Sequence, residues 1–119
     1  MKYMLLIHQG TTPTPRDPEA WARLSDEEQK SVYDDYRAIN ETSGVTPGVQ
    51  MQDPETATTV RVQDGKTLTT DGPFVTVKEA LSGWLFFEAD DLDAAIEVAA
   101  RIPAARLGGA VEVRPIVER

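Results

Sequence analysis

The chain has 119 residues, no cysteine, one histidine, and 12 Lys plus Arg against 20 Asp plus Glu, a formal net charge of −8. One domain of ordinary size fits this length, and 40% apolar residues are enough to bury a core. Disulfides, thiolate catalysis and sulfur-ligated zinc are excluded, an all-imidazole metal site is impossible, and an acidic chain is repelled by nucleic-acid phosphates.

Lys2-Tyr3-Met4-Leu5-Leu6-Ile7-His8 reads as the first strand, ended by Gly10. Its apolar run is shorter than the ~7–15 residues of a signal-peptide core, and no stretch approaches the ~20 apolar residues of a membrane span. The expectation is a soluble cytoplasmic protein with no membrane partner. A Thr/Pro-rich loop runs through Pro18, kept extended by Pro13 and Pro15. Pro18 to Leu24 predicts a short helical turn with Trp21 and Leu24 inward. Ser25-Asp26-Glu27-Glu28 is a capping-box pattern, and Val32, Tyr36 and Ile39 recur at helical spacing behind it. Gly44 is placed to terminate that helix.

Val45 to Gln52 predicts a short strand interrupted by Pro47 and Gly48. Thr58–Gln63 and Lys66–Thr70, joined by Asp64-Gly65, predict a hairpin with a type I′ turn. Asp71-Gly72-Pro73-Phe74 reads as a turn or loop, followed by a short segment with Lys78, Glu79 and Leu81 and then a strand from Trp84 to Glu88. Asp90 or Asp91 caps a second long helix, with Leu92, Ala95, Ile96, Ala99 and Ile102 on one face and Pro103 as its stop. The last strand spans Val111 to Val117, with Pro115 marking an edge or strand end.

Apart from the hairpin, this order is βαββαβ: an α+β, ferredoxin-like fold with two helices on one face of an antiparallel sheet. A sheet covered on one face alternates apolar and polar residues. Here Tyr3, Leu5 and Ile7 alternate with Met4 and Leu6, and Trp84 and Phe86 alternate with Leu85 and Phe87. Both faces of these strands are apolar, so the uncovered face is expected to meet the same face of a second chain, a homodimer. The competing arrangement folds the Gln9–Pro18 loop or the hairpin over that face.

The stretch Thr70-Asp71-Gly72-Pro73-Phe74-Val75-Thr76-Val77-Lys78-Glu79-Ala80-Leu81-Ser82-Gly83-Trp84 resembles the signature of the YCII-related, or DGPF-domain, family. The likeness extends to Met1–Ile7, Thr58–Arg61, Asp91–Ala95, Ala100–Ala105 and Val111–Pro115, and so spans nearly the whole chain. It implies a dimeric α+β barrel in which two ferredoxin-like sheets pack face to face. It also implies an association of such proteins with extracytoplasmic-function sigma factors. Better-understood relatives act on small aromatic or lactone-type compounds by proton-transfer, dehalogenation or isomerase chemistry, with a His–Asp acid/base pair.

General acid/base chemistry near neutral pH needs a titrating group held by a second one. His8 ends the first strand on the face of Met4 and Leu6. Asp71, leading toward the adjacent central strand, is the candidate to orient it. Asp71-Gly72-Pro73 equally meets the needs of a turn, and many DGPF-type sequences carry Tyr where this chain has His8. Phe74, Trp84 and Phe86 are candidates to line a pocket for a flat ligand, or else core and interface; Arg61 is a candidate for an anionic ligand group, or else a solvated cross-strand neighbour. The acidic clusters Asp26–Glu28 and Asp90–Asp93 are explained by helix capping, so neither a metal nor an organic cofactor is expected. Two functions follow: a cofactor-free lyase or isomerase on a small aromatic or carboxylated compound, or a non-enzymatic ligand-binding or regulatory module working with a sigma factor.

Overall fold

The computed structural model describes residues 1–76 and 80–118. The Lys78–Glu79 segment, with Val77 of the signature, lies outside the described residues. The elements run β1 (Lys2–His8), α1 (Pro18–Ala22), α2 (Asp26–Asn40), β2 (Val45–Gln50), β3 (Thr58–Gln63), β4 (Lys66–Asp71), β5 (Leu81–Glu88), α3 (Leu92–Ala100) and β6 (Ala110–Pro115), with single 3-10 turns at Pro54–Thr56 and Pro103–Ala105.

Four strands form one antiparallel sheet in the order β2-β5-β1-β6, the ferredoxin-like arrangement, and β3-β4 form a separate two-stranded sheet. The expected α+β fold is therefore present, with the inserted hairpin standing as its own unit. Strand alternation decides which side chains meet the helices. Tyr3, Leu5, Ile7, Leu85 and Phe87 point to one face and join Ile39, Ala95, Val98, Ala99 and Ile102 in the core. Leu5, Ile39 and Ile102 are fully enclosed.

The helices start where the sequence says they do. The Ser25 hydroxyl accepts from the Glu28 N–H at 3.1 Å, and the Glu28 carboxylate accepts from the Ser25 N–H at 3.3 Å, a complete capping box. Asp91 caps α3 by accepting from the Ala94 N–H at 2.9 Å. The α3 face differs in detail from expectation. Leu92 and Ile96 are about half exposed, while Val98 joins Ala95 and Ala99 in the core. Small residues bring this helix close to the sheet, and the stripe facing it is offset from the one read off Leu92 and Ile96.

The hairpin turn has φ of 50° at Asp64 and 76° at Gly65, as a type I′ turn requires. β4 runs one residue further than predicted and ends at Asp71, which pairs with Thr58. β5 starts three residues earlier than predicted, at Leu81. β6 ends at Pro115, with one more bond to β1 beyond it, the Ile116 N–H donating to the Lys2 carbonyl at 2.9 Å.

The opposite face of the main sheet carries Met4, Leu6, Trp84 and Phe86. Met4 opposes Phe86 and Leu6 opposes Trp84 across β1 and β5, and all four are half-buried. The Gln9–Pro18 loop sits elsewhere: its prolines line a cavity with Tyr33 and Tyr36 of α2. The molecule is a slab of 50 × 44 × 17 Å. Its radius of gyration is 16.2 Å, where a compact chain of this length has about 13.5 Å.

Candidate functional site

His8 is held at the end of β1, opposite Leu81 on β5 and Ala110 on β6. Alternation puts it on the Met4–Leu6 face, as expected. Glu112 opposes Leu6 on β6 and so lies diagonal to His8 on the same face. His8 Nε2 is 3.5 Å from Glu112 Oε1, a contact that becomes an ion pair when the imidazole is protonated, and Arg114 Nε is 3.4 Å from the other carboxylate oxygen. The imidazole is about one-third exposed. Sequence reasoning missed Glu112, although its signal was available: Val111-Glu112-Val113-Arg114 alternates, and the last strand of a ferredoxin-like sheet neighbours the first.

Asp71 belongs to the other sheet. Its place at the end of β4 puts it on the hairpin face of Val60 and Thr69. The turn that follows is well built: Gly72 has φ 99°, its N–H donates to the Ala57 carbonyl at 2.7 Å, and the Thr59 hydroxyl donates to the Gly72 carbonyl at 2.7 Å. Arg61 and Phe74 are brought together, the guanidinium carbon 4.8 Å from the ring centroid. They flank a shallow hollow of about 320 Å³ with Leu68 and Pro73. Arg61 opposes Leu68, on the hairpin face away from Asp71. The six residues singled out in the sequence thus fall in separate places: His8, Trp84 and Phe86 on the outer sheet face, Asp71 on one face of the hairpin, and Arg61 and Phe74 on the other. A larger cavity lies on the helix side of the sheet.

That cavity, of about 400 Å³, lies between the Gln9–Pro15 loop, α1, α2 and the β2–β5 edge. Trp21 and Tyr33 form one wall, packed edge to face with centroids 5.7 Å apart. Gln29 fixes α1 against α2 by donating from Nε2 to the Trp21 carbonyl at 2.9 Å. The loop is tied down at both ends. The Thr11 N–H donates to the Gly108 carbonyl at 3.1 Å, and Arg16 donates to the Met51 carbonyl at 2.9 Å while its guanidinium stands 3.4 Å from Asp53. Gly48, at the irregularity in β2, lies so close to the Trp84 carbonyl that a Cβ would collide with it, which lets the β2 edge bend around the cavity mouth. Burial raises the Tyr36 phenol above its ordinary value of 10.0, partly offset by the nearby Arg106 charge. Among the described residues, no three His, Asp or Glu side chains are grouped to hold a metal, and no helix is long and apolar enough to cross a membrane.

The YCII-related domain model matches residues 1–119. The chain belongs to the YCII-related family. An uncharacterized protein of Rhizobium meliloti (strain 1021) is 30% identical over 121 residues, covering 98% of this YCII-related chain and 92% of its own. The family resemblance seen in the signature residues is thereby established over the whole YCII-related chain, and the ferredoxin-like sheet agrees with the fold it implied.

Proposed function

We propose that this YCII-related chain is a cytoplasmic homodimer, joined through the outer sheet face, that processes a small molecule by proton transfer without a metal or organic cofactor. The observation that carries the reading is the outer face itself. Met4, Leu6, Trp84 and Phe86 form an apolar surface at the centre of the sheet with both helices on its other side, and the thin, broad slab suits a chain that is half of a packed unit. His8 sits at the rim of that surface, partly open to solvent and next to the Glu112 carboxylate. There it serves as the acid/base group of a lyase or isomerase reaction: the imidazole accepts a proton from an activated C–H and returns one at a neighbouring atom.

The test has two parts. Light scattering should give a mass of twice the 13.1 kDa chain; a mass of one chain rejects the dimer. Wild type and His8→Ala are then assayed on a panel of unsaturated lactones and aromatic keto acids. Turnover by wild type and its loss in a still-dimeric His8→Ala is the expected result. An inactive wild type leaves the alternative of a ligand-binding or regulatory module working with a sigma factor, and a fully active variant removes His8 as the acid/base group.

A further inference from the structure

The cavity beside α2 has a chemical character that neither the signature nor the dimer reading supplies. The chain is 27% charged residues, yet none of the described residues lining this cavity is Asp, Glu, Lys, Arg or His. The two cations nearest to it are engaged: Arg16 with the Met51 carbonyl and Asp53, and Arg106 with Asp35 at 2.7 Å. A carboxylate, phosphate or ammonium entering here would lose its water without gaining a counter-charge.

The walls are aromatic and prolyl, with Trp21, Tyr33 and Tyr36 facing Pro13 and Pro15. Flat faces at this density favour a planar ring. The polar side chains of the lining are neutral amides and hydroxyls. Tyr36 and Asn40 line the same space. The Tyr36 phenol remains a neutral O–H donor through the physiological range. The volume of about 400 Å³ falls in the range of small-ligand sites, and the tied-down loop means the walls do not have to be assembled on binding.

We infer that this cavity is a binding site for an uncharged aromatic molecule of about two fused rings carrying a hydroxyl or carbonyl group, with Trp21 and Tyr33 against the ring and Tyr36 and Asn40 meeting the polar group. This rests on the small-molecule reading above and narrows it, removing carboxylated compounds as occupants of this cavity. It requires neither the dimer nor catalysis by His8.

Binding of naphthalene-2-methanol, 2-naphthoate and 2-naphthylmethylammonium to the full chain at neutral pH, followed by calorimetry and by the two indole N–H signals in NMR spectra, tests it. The neutral alcohol should bind about tenfold or more tighter than either ion, and the Trp21 indole signal should shift. Tyr36→Phe should weaken the alcohol severalfold while leaving 2-methylnaphthalene unaffected, and Tyr33→Ala should weaken every ring. Circular dichroism establishes that each variant is folded; the wild-type comparison among the three probes stands even if one is not. Equal or tighter binding of the naphthoate, no binding of any probe at millimolar concentration, or binding that leaves the Trp21 indole signal unmoved overturns the assignment. Because occupancy rather than turnover is read, failure here is distinct from failure of the His8 assay, and repeating the titration on His8→Ala separates the two fully.

Discussion

His8 Nε2 stands 3.5 Å from Glu112 Oε1, across the ladder that joins the first strand to the last. The relationship follows from three simple facts. Antiparallel pairing puts Leu6 opposite Glu112 and His8 opposite Ala110. Alternation puts Leu6, His8 and Glu112 on one face. Diagonal neighbours in such a ladder are within reach of long side chains. A carboxylate beside an imidazole is an arrangement that general acid/base proton transfer uses.

This geometry separates the two carboxylates that might hold the imidazole. With a substrate from the lactone and keto-acid panel, His8→Ala should lower kcat/KM by about 10²- to 10⁴-fold. Glu112→Gln, which keeps shape and removes charge, should lower it by a smaller factor, about tenfold. Asp71→Asn should change it little. A larger loss in Asp71→Asn than in Glu112→Gln would return the orienting role to Asp71. Steady-state kinetics on folded, dimeric variants decides it.

Leu5 and Leu6 are adjacent in sequence and opposite in consequence. Leu5 is fully enclosed beneath the helices, so Leu5→Ala should destabilise the chain by about 2–5 kcal/mol in denaturant titrations. Leu6 faces outward between Trp84 and Glu112. Leu6→Asp should leave the circular dichroism spectrum unchanged and halve the light-scattering mass from two chains to one. A dimeric Leu6→Asp would place the interface elsewhere.

These contrasts show what the sequence made legible. Alternation in β1 and β5 identified both the buried face and the exposed apolar one, because period-two patterning is a local property of a strand. The capping box at Ser25 and the Asp64-Gly65 turn were equally local. What it did not disclose depends on distant pairing. Glu112 lies over a hundred residues from His8 and is joined to it only by sheet order. The α2 cavity is assembled from a proline loop, two helices and a strand edge, with no spacing that marks it. Asp71 and Arg61 were grouped as site candidates, yet hairpin register places them on opposite faces.

The Ser25 cap is a stability test free of the site. Ser25→Ala removes the acceptor for the Glu28 N–H and leaves only the bond that the backbone N–H of residue 25 donates to the Glu28 carboxylate. The expected loss is about 1 kcal/mol, read as a lower urea midpoint with unchanged slope. Ser25→Asp should retain most of it, since aspartate caps comparably.

Asp34 gives a pH-dependent signal on the same helix. Its carboxylate accepts from Lys30 Nζ at 2.7 Å and lies near Arg37, and these hold its pKa below the usual 3.8. A depressed folded-state value means that the contribution is present above about pH 4 and is lost as pH falls through the folded value. NMR titration should show Asp34 protonating below 3.8, and Lys30→Gln or high salt should move the midpoint back toward it. An unchanged midpoint in Lys30→Gln would assign the shift to another cause.

Tyr36 titrates in the opposite sense, and its position ties alkaline stability to the cavity. Burial raises its phenol above 10.0 because the ionised form would sit against apolar walls. The folded chain therefore holds a proton that the unfolded chain releases, and stability should be flat below about pH 10 and fall as pH rises beyond it. Spectrophotometric titration of wild type against Tyr36→Phe should assign to Tyr36 a step later than an ordinary tyrosine shows. Tyr36→Phe should remove its share of the alkaline loss. Naphthalene-2-methanol at saturation should push that step later still, since a hydrogen bond from the phenol to the bound hydroxyl favours the protonated form; a step unmoved by the alcohol would mean that Tyr36 does not touch it.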